Sequence, residues 1–185
     1  MWKYPYKTKP YEHQRNALET SAEKAQWAYF MEMGTGKTKV TIDNMAYLFF
    51  KRKINSALII APKSVYTNWQ SEIETHLPDV LKYKIFKWNI DKQKDYYALE
   101  QFKDLKIFLI NVEALSTKRG YQACVEYLTT NKLNFVALDE STTIKNRSAK
   151  RTKNILGLQR LSLVRRILTG SPITKSPLDL FTQCA

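Results

Sequence analysis

An α/β fold, with a mainly parallel sheet covered by helices on both faces, is predicted by three features of this 185-residue sequence. Short apolar runs recur along it, helical apolar spacing fills the gaps between them, and a glycine-bearing loop follows the first run and opens a helix. The runs fall at residues 27–30, 57–60, 84–86, 107–110, 135–138 and 166–168. Short apolar strands joined by helices imply parallel pairing, and such sheets collect ligands at the carboxyl ends of their strands.

Taken in order, the Tyr- and Pro-bearing stretch before Gln14 has a plain reading as an ordered N-terminal arm with Gln14 on a helix surface, and the first strand follows at 27–30. Thr41, Met45, Leu48 and Phe49 repeat at helical spacing after the glycine loop, as do Val65, Trp69, Ile73 and Leu77 after the second strand, with Trp69 assigned to the core. Leu99, Phe102 and Leu105 mark a further helical pattern before the fourth strand. Cys124 shares a helical face with Tyr121, Val125 and Leu128 and reads as core, while Cys184 sits beside the chain end. Two such cysteines suggest neither a disulfide framework nor a zinc site. His13 and His76 are too scattered for metal binding and read as surface or capping residues. Repeats, low-complexity tracts and linkers are absent from the sequence, so residues 1–185 are expected to form one domain.

The chemistry lies in two segments. The loop Met31-Glu32-Met33-Gly34-Thr35-Gly36-Lys37-Thr38 opens a helix, and about a hundred residues later the run 135–138 ends in Asp139 and Glu140. Glycines let backbone N–H groups close round a polyphosphate, Lys37 reaches its terminal oxygens, and the Thr38 hydroxyl and Asp139 can both approach a magnesium ion. Glu140 is the candidate for orienting or deprotonating water. Met31 stands where the pattern G-x-x-x-x-G-K-[ST] asks for glycine. A turn before a helix and a strand ending in two acids each have plain structural explanations; it is their pairing that points to ATP and magnesium.

A formal net charge of +13 points to a polyanionic partner. Residues 141–185 carry nine basic side chains (Lys145, Arg147, Lys150, Arg151, Lys153, Arg160, Arg165, Arg166, Lys175) against the single acid Asp179. A solvated basic face that aids solubility is the alternative. The sequence has no apolar run of membrane-spanning length and a polar start, so an intracellular protein without a membrane partner is expected.

The order Gln14, the MGTGKT loop, Ala61-Pro62-Lys63-Ser64, Asp139-Glu140 and Leu168-Thr169-Gly170-Ser171-Pro172 resembles the motif series in the first RecA-like lobe of superfamily-two helicases, a P-loop NTPase lobe. Residues 61–73, 139–152 and 168–181 resemble Swi/Snf-like double-stranded DNA translocases, in the compact form carried by bacteria and phages. The resemblance implies that Gln14 pairs with adenine, with Tyr4, Tyr6 or Tyr11 packing on the base, and that Met33, Gly34, Thr35, Gly36, Lys37 and Thr38 hold the nucleotide. It assigns the metal to Thr38 and Asp139, catalysis to Lys37, Asp139 and Glu140, and the nucleic-acid backbone to Lys63, Ser64, Asn111, Lys145 and Arg147. Thr169, Gly170 and Ser171 then couple the phosphate site to the nucleic-acid groove. Where many members read Asp-Glu-Ala-His, Thr142 replaces the histidine. The resemblance also implies a second RecA-like lobe that these residues do not contain, so the chain alone is expected to hydrolyse ATP poorly. The alternative is a non-catalytic nucleotide- or DNA-binding module that regulates a partner protein.

Overall fold

The computed structural model describes residues 4–89, 93–141 and 148–171. Six strands, β1 (Gln26–Phe30), β2 (Ser56–Ala61), β3 (Tyr83–Lys87), β4 (Leu105–Asn111), β5 (Asn134–Asp139) and β6 (Val164–Thr169), pair in the order β1-β6-β5-β2-β4-β3. Every pairing is parallel. Each predicted run lies inside one of these strands, which extend it by one or two residues at the ends.

Alternation along the central strand divides the core into two layers. Ala57, Ile59 and Ala61 of β2 join Leu18 of α1 (Glu12–Ser21), Met45 of α2 (Lys37–Phe50) and Trp69 and Ile73 of α4 (Asn68–His76). Leu58 and Ile60 point the other way, toward Cys124 and Leu128 of α6 (Lys118–Thr130) and Ile155 of α7 (Lys150–Leu158). Burying an aliphatic side chain of this size contributes roughly 1.5–3 kcal/mol. A one-residue slip would exchange the two layers, so the register is firmly set.

Two helical expectations need correction. The Val65-to-Leu77 pattern is carried by two short helices, α3 (Lys63–Tyr66) and α4, joined at Thr67, which keeps helical dihedrals (φ −70°, ψ −30°); Leu77 lies just past the end. The Leu99-Phe102-Leu105 spacing crosses a boundary, because α5 (Gln93–Glu100) ends before Phe102 and Leu105 begins β4. Among the basic residues expected to face a polyanion, Arg166 is 1% exposed. Its guanidinium donates to Asn44 Oδ1 (2.8 Å) and to the carbonyls of Ser21 (3.0 Å), Lys24 (2.9 Å) and Arg165 (2.7 Å), and lies 5.6 Å from the centre of the Phe135 ring. Burial lowers its pKa from the ordinary arginine value. Its job is to tie the end of α1 to β6.

Candidate nucleotide-binding site

The glycine loop leaves β1 at Phe30 and enters α2 at Lys37. Gly34 (φ +78°) and Gly36 (φ +86°) occupy left-handed backbone that favours glycine, and a Cβ on Gly36 would run into the Gln14 amide. Lys37 Nζ donates to the carbonyls of Met31 and Glu32, both at 2.9 Å, so the ammonium closes the loop on itself. Thr38, half-buried, is the second residue of α2. The first turn of a helix presents N–H groups without intrahelical partners and the positive end of the helix dipole, which favours an anion at this place.

Sheet order brings the second segment to the same edge. β6 separates β1 from β5, putting Asp139 about 10 Å across the sheet from the end of β1, two strand spacings away. Asp139 Oδ2 accepts the Trp69 indole N–H at 2.8 Å and Oδ1 accepts the Glu140 N–H at 2.9 Å. Burial, helped by the neighbouring Glu140 charge, raises the Asp139 pKa from its ordinary value; these two hydrogen bonds and the field of the Lys37 ammonium oppose the rise. Glu140 has φ +50°, a region that non-glycine residues occupy at a cost of roughly 1–2 kcal/mol, immediately after the acid it is paired with.

The β6 end locks the two together. Thr169 Oγ1 donates to Glu140 Oε1 at 3.0 Å and accepts the Ser171 N–H at 3.1 Å. A Cβ added to Gly170 would sit 3.1 Å from Met33 Cγ, so this turn packs against the glycine loop. Carboxylate, turn and loop form one contact chain.

Gln14 is buried, contrary to the alternative that placed it on a helix surface. Its Oε1 accepts the Tyr11 N–H and its Nε2 donates to the Thr35 carbonyl, each at 3.0 Å. A primary amide has two N–H groups and two oxygen lone pairs, so one of each is left for a donor-and-acceptor edge. Of the three tyrosines considered for stacking, Tyr4 is buried with its hydroxyl on Asp43 (3.1 Å), and Tyr6, partly buried, packs edge-on against Tyr4 at the margin of the core. Tyr11 is 72% exposed and stacks on His13, whose Nε2 lies 3.0 Å from the Thr35 carbonyl.

A family model for the SNF2-related domain matches residues 20–183. The chain belongs to the SNF2-related domain family. It is 37% identical over 160 residues to the chromatin-remodeling ATPase INO80 of Aspergillus clavatus, over 81% of this chain and 9% of that protein, and 36% identical over 158 residues to that of Mycosarcoma maydis. In fold it is similar to the Sulfolobus solfataricus SWI2/SNF2 ATPase core solved in complex with dsDNA (TM-score 0.77, 23% identity, 99% of this chain, 36% of that chain). The UvsW helicase from bacteriophage T4 is also similar (TM-score 0.66, 12% identity, 95% of this chain, 58% of that one). The architecture is that of a RecA-like P-loop NTPase lobe.

In this SNF2-related lobe, three of the residues expected to meet nucleic acid lie at the carboxyl ends of the neighbouring strands β2 and β4. Lys63 and Ser64 begin α3 after β2, exposed, with Pro62 rather than Ser64 at the cap position. Asn111, the register partner of Ala61, ends β4, and its Oδ1 caps a 3-10 turn (Val112–Ser116) by accepting the Ala114 N–H at 2.8 Å. Lys145, Arg147 and Thr142 lie outside the described residues. Two contacts of the site escaped the reading of the sequence. Trp69 is core, as expected, but it is also a partner of Asp139, and His13 touches the glycine loop. A buried tryptophan N–H needs an acceptor, which was the available signal for the first. Among the described residues, no helix is long and apolar enough to cross a membrane.

Proposed function

We propose that this chain is the ATP-binding lobe of a nucleic-acid-dependent motor, and that its 185 residues form the first of two RecA-like lobes. One observation carries the reading: the ends of the adjacent strands β1, β6 and β5 set the Thr169–Ser171 turn between the Met31–Met33 part of the glycine loop, against which Gly170 packs, and Glu140, to which Thr169 bonds. The residues fit the ligand. The left-handed glycines and the start of α2 make a cradle for phosphates, and the Lys37 ammonium exchanges the Met31 and Glu32 carbonyls for phosphate oxygens. Gln14 spends its spare N–H and lone pair on the adenine edge, while Tyr11 covers the ring.

Thr38 and Asp139 would hold magnesium. When bound, the ion neutralises charge on the phosphates. Glu140, steadied by Thr169, accepts the proton of the attacking water. Lys63, Ser64 and Asn111, with Lys145 and Arg147, contact the nucleic-acid backbone; Thr169, Gly170 and Ser171 couple that track to the phosphates. Duplex DNA as the track is supported by the Swi/Snf-like motifs and by the similarity to a SWI2/SNF2 core solved with dsDNA. Intracellular, DNA-associated work in a bacterial or phage setting rests on motif character, since the relatives are fungal, archaeal and phage proteins. A second lobe supplies arginine to the phosphates, a contribution of roughly 10³–10⁵ in rate.

The test is equilibrium binding of a fluorescent ATP analogue with magnesium, alongside ATP turnover with duplex DNA. The chain should bind weakly and turn over little; Lys37→Ala should abolish binding, and Glu140→Gln should spare it. Unchanged affinity in Lys37→Ala overturns the site, and vigorous DNA-stimulated turnover by these residues alone overturns the need for a second lobe. Binding that stays silent when a second lobe is added would favour the regulatory module instead. A gel shift that weakens steeply with salt checks the polyanion.

A further inference from the structure

Trp69 is 2% exposed on α4, and its indole N–H meets Asp139 Oδ2 at 2.8 Å. The other oxygen, Oδ1, is taken by the Glu140 N–H at 2.9 Å. A carboxylate held at both oxygens by donors from two different elements has its orientation fixed, while each oxygen keeps a lone pair for a ligand. Phenylalanine would keep an apolar ring at this place in the core, but not the indole N–H that tryptophan brings. We propose that Trp69 is a positioning residue whose N–H aims the Asp139 carboxylate at the bound magnesium ion, as outer hydrogen-bond partners orient metal ligands elsewhere. The proposal rests on the reading of Asp139 as a magnesium ligand.

The experiment is a magnesium titration of fluorescent ATP-analogue binding by the 185-residue chain, its Trp69→Phe variant and its Asp139→Asn variant. Trp69→Phe should raise the magnesium concentration for half-saturation roughly 10- to 100-fold, leaving affinity for metal-free nucleotide unchanged. Asp139→Asn should remove the magnesium dependence. If Asp139→Asn removes it and Trp69→Phe behaves as wild type, the role of Trp69 is overturned and the metal site stands. If Asp139→Asn leaves the dependence intact, the metal reading fails and the positioning role falls with it. Should Trp69→Phe not fold, the indole ¹H–¹⁵N resonance of Trp69 decides in folded protein: it should move in Asp139→Asn and again when magnesium and nucleotide are added to wild type, and a stationary signal overturns the proposal.

Discussion

Arg166 and Lys37 are both cations that donate to backbone carbonyls, yet they do opposite jobs. Arg166 sits in the first half of β6, 1% exposed, with its donors on Ser21, Lys24, Arg165 and Asn44. Lys37 sits at the carboxyl edge, half-buried, with its ammonium on Met31 and Glu32. The core seals the bonds to Asn44 and Ser21, whereas the proposed site needs those of Lys37 to be exchanged for phosphate oxygens. Charge and bonding type alone do not separate these two cations; burial of the cation itself does.

The largest expected effect is on the sealed side. Arg166→Met leaves two buried acceptors, Asn44 Oδ1 and the Ser21 carbonyl, unpaired at roughly 1–3 kcal/mol each, so a net loss of about 4 kcal/mol is expected. That lowers the melting temperature by roughly 8–16 °C for a chain of this size, while nucleotide affinity measured well below the transition stays at the wild-type value. Loss of affinity without loss of stability would erase the distinction between the two cations. Lys39 sharpens it, because this buried lysine has a carboxylate partner, Asp43, at 2.6 Å. Lys39→Met should cost about 3 kcal/mol near neutral pH by stranding that charge. Burial already raises the Asp43 pKa, so the folded state holds this proton more tightly than the unfolded state does. The loss should therefore be greatest above the folded-state pKa of Asp43 and shrink as pH falls through it, which denaturant melts across an acid series will check.

Smaller stability effects belong to the open edge. Gly36→Ala puts a side chain at φ +86° against the Gln14 amide and should cost roughly 1–2 kcal/mol, with nucleotide binding impaired in the same sample. Lys37→Ala should change stability by less than about 0.5 kcal/mol although it removes binding. A large stability loss there would mean that the ammonium is a structural brace like Arg166.

Much of the fold was legible because its signals are local. Runs such as 57–60 and 135–138 are short and apolar between helical patterns, as buried strands are, and Gly34 and Gly36 ahead of the Thr41-to-Phe49 spacing mark a loop that opens a helix. Leu105 misled because apolar spacing runs on without a break from α5 into β4. Arg166 misled because a count of charges is blind to depth.

Residue types and their order along the chain determined the strands, the glycine loop and the acidic pair, since each depends on neighbours a few positions away. Only the tertiary structure decided that β6 lies between β1 and β5, that Thr169 reaches Glu140, and that Trp69, seventy positions upstream, holds Asp139. Strand order follows from how the crossover helices pack over the whole sheet, and no short segment carries that information.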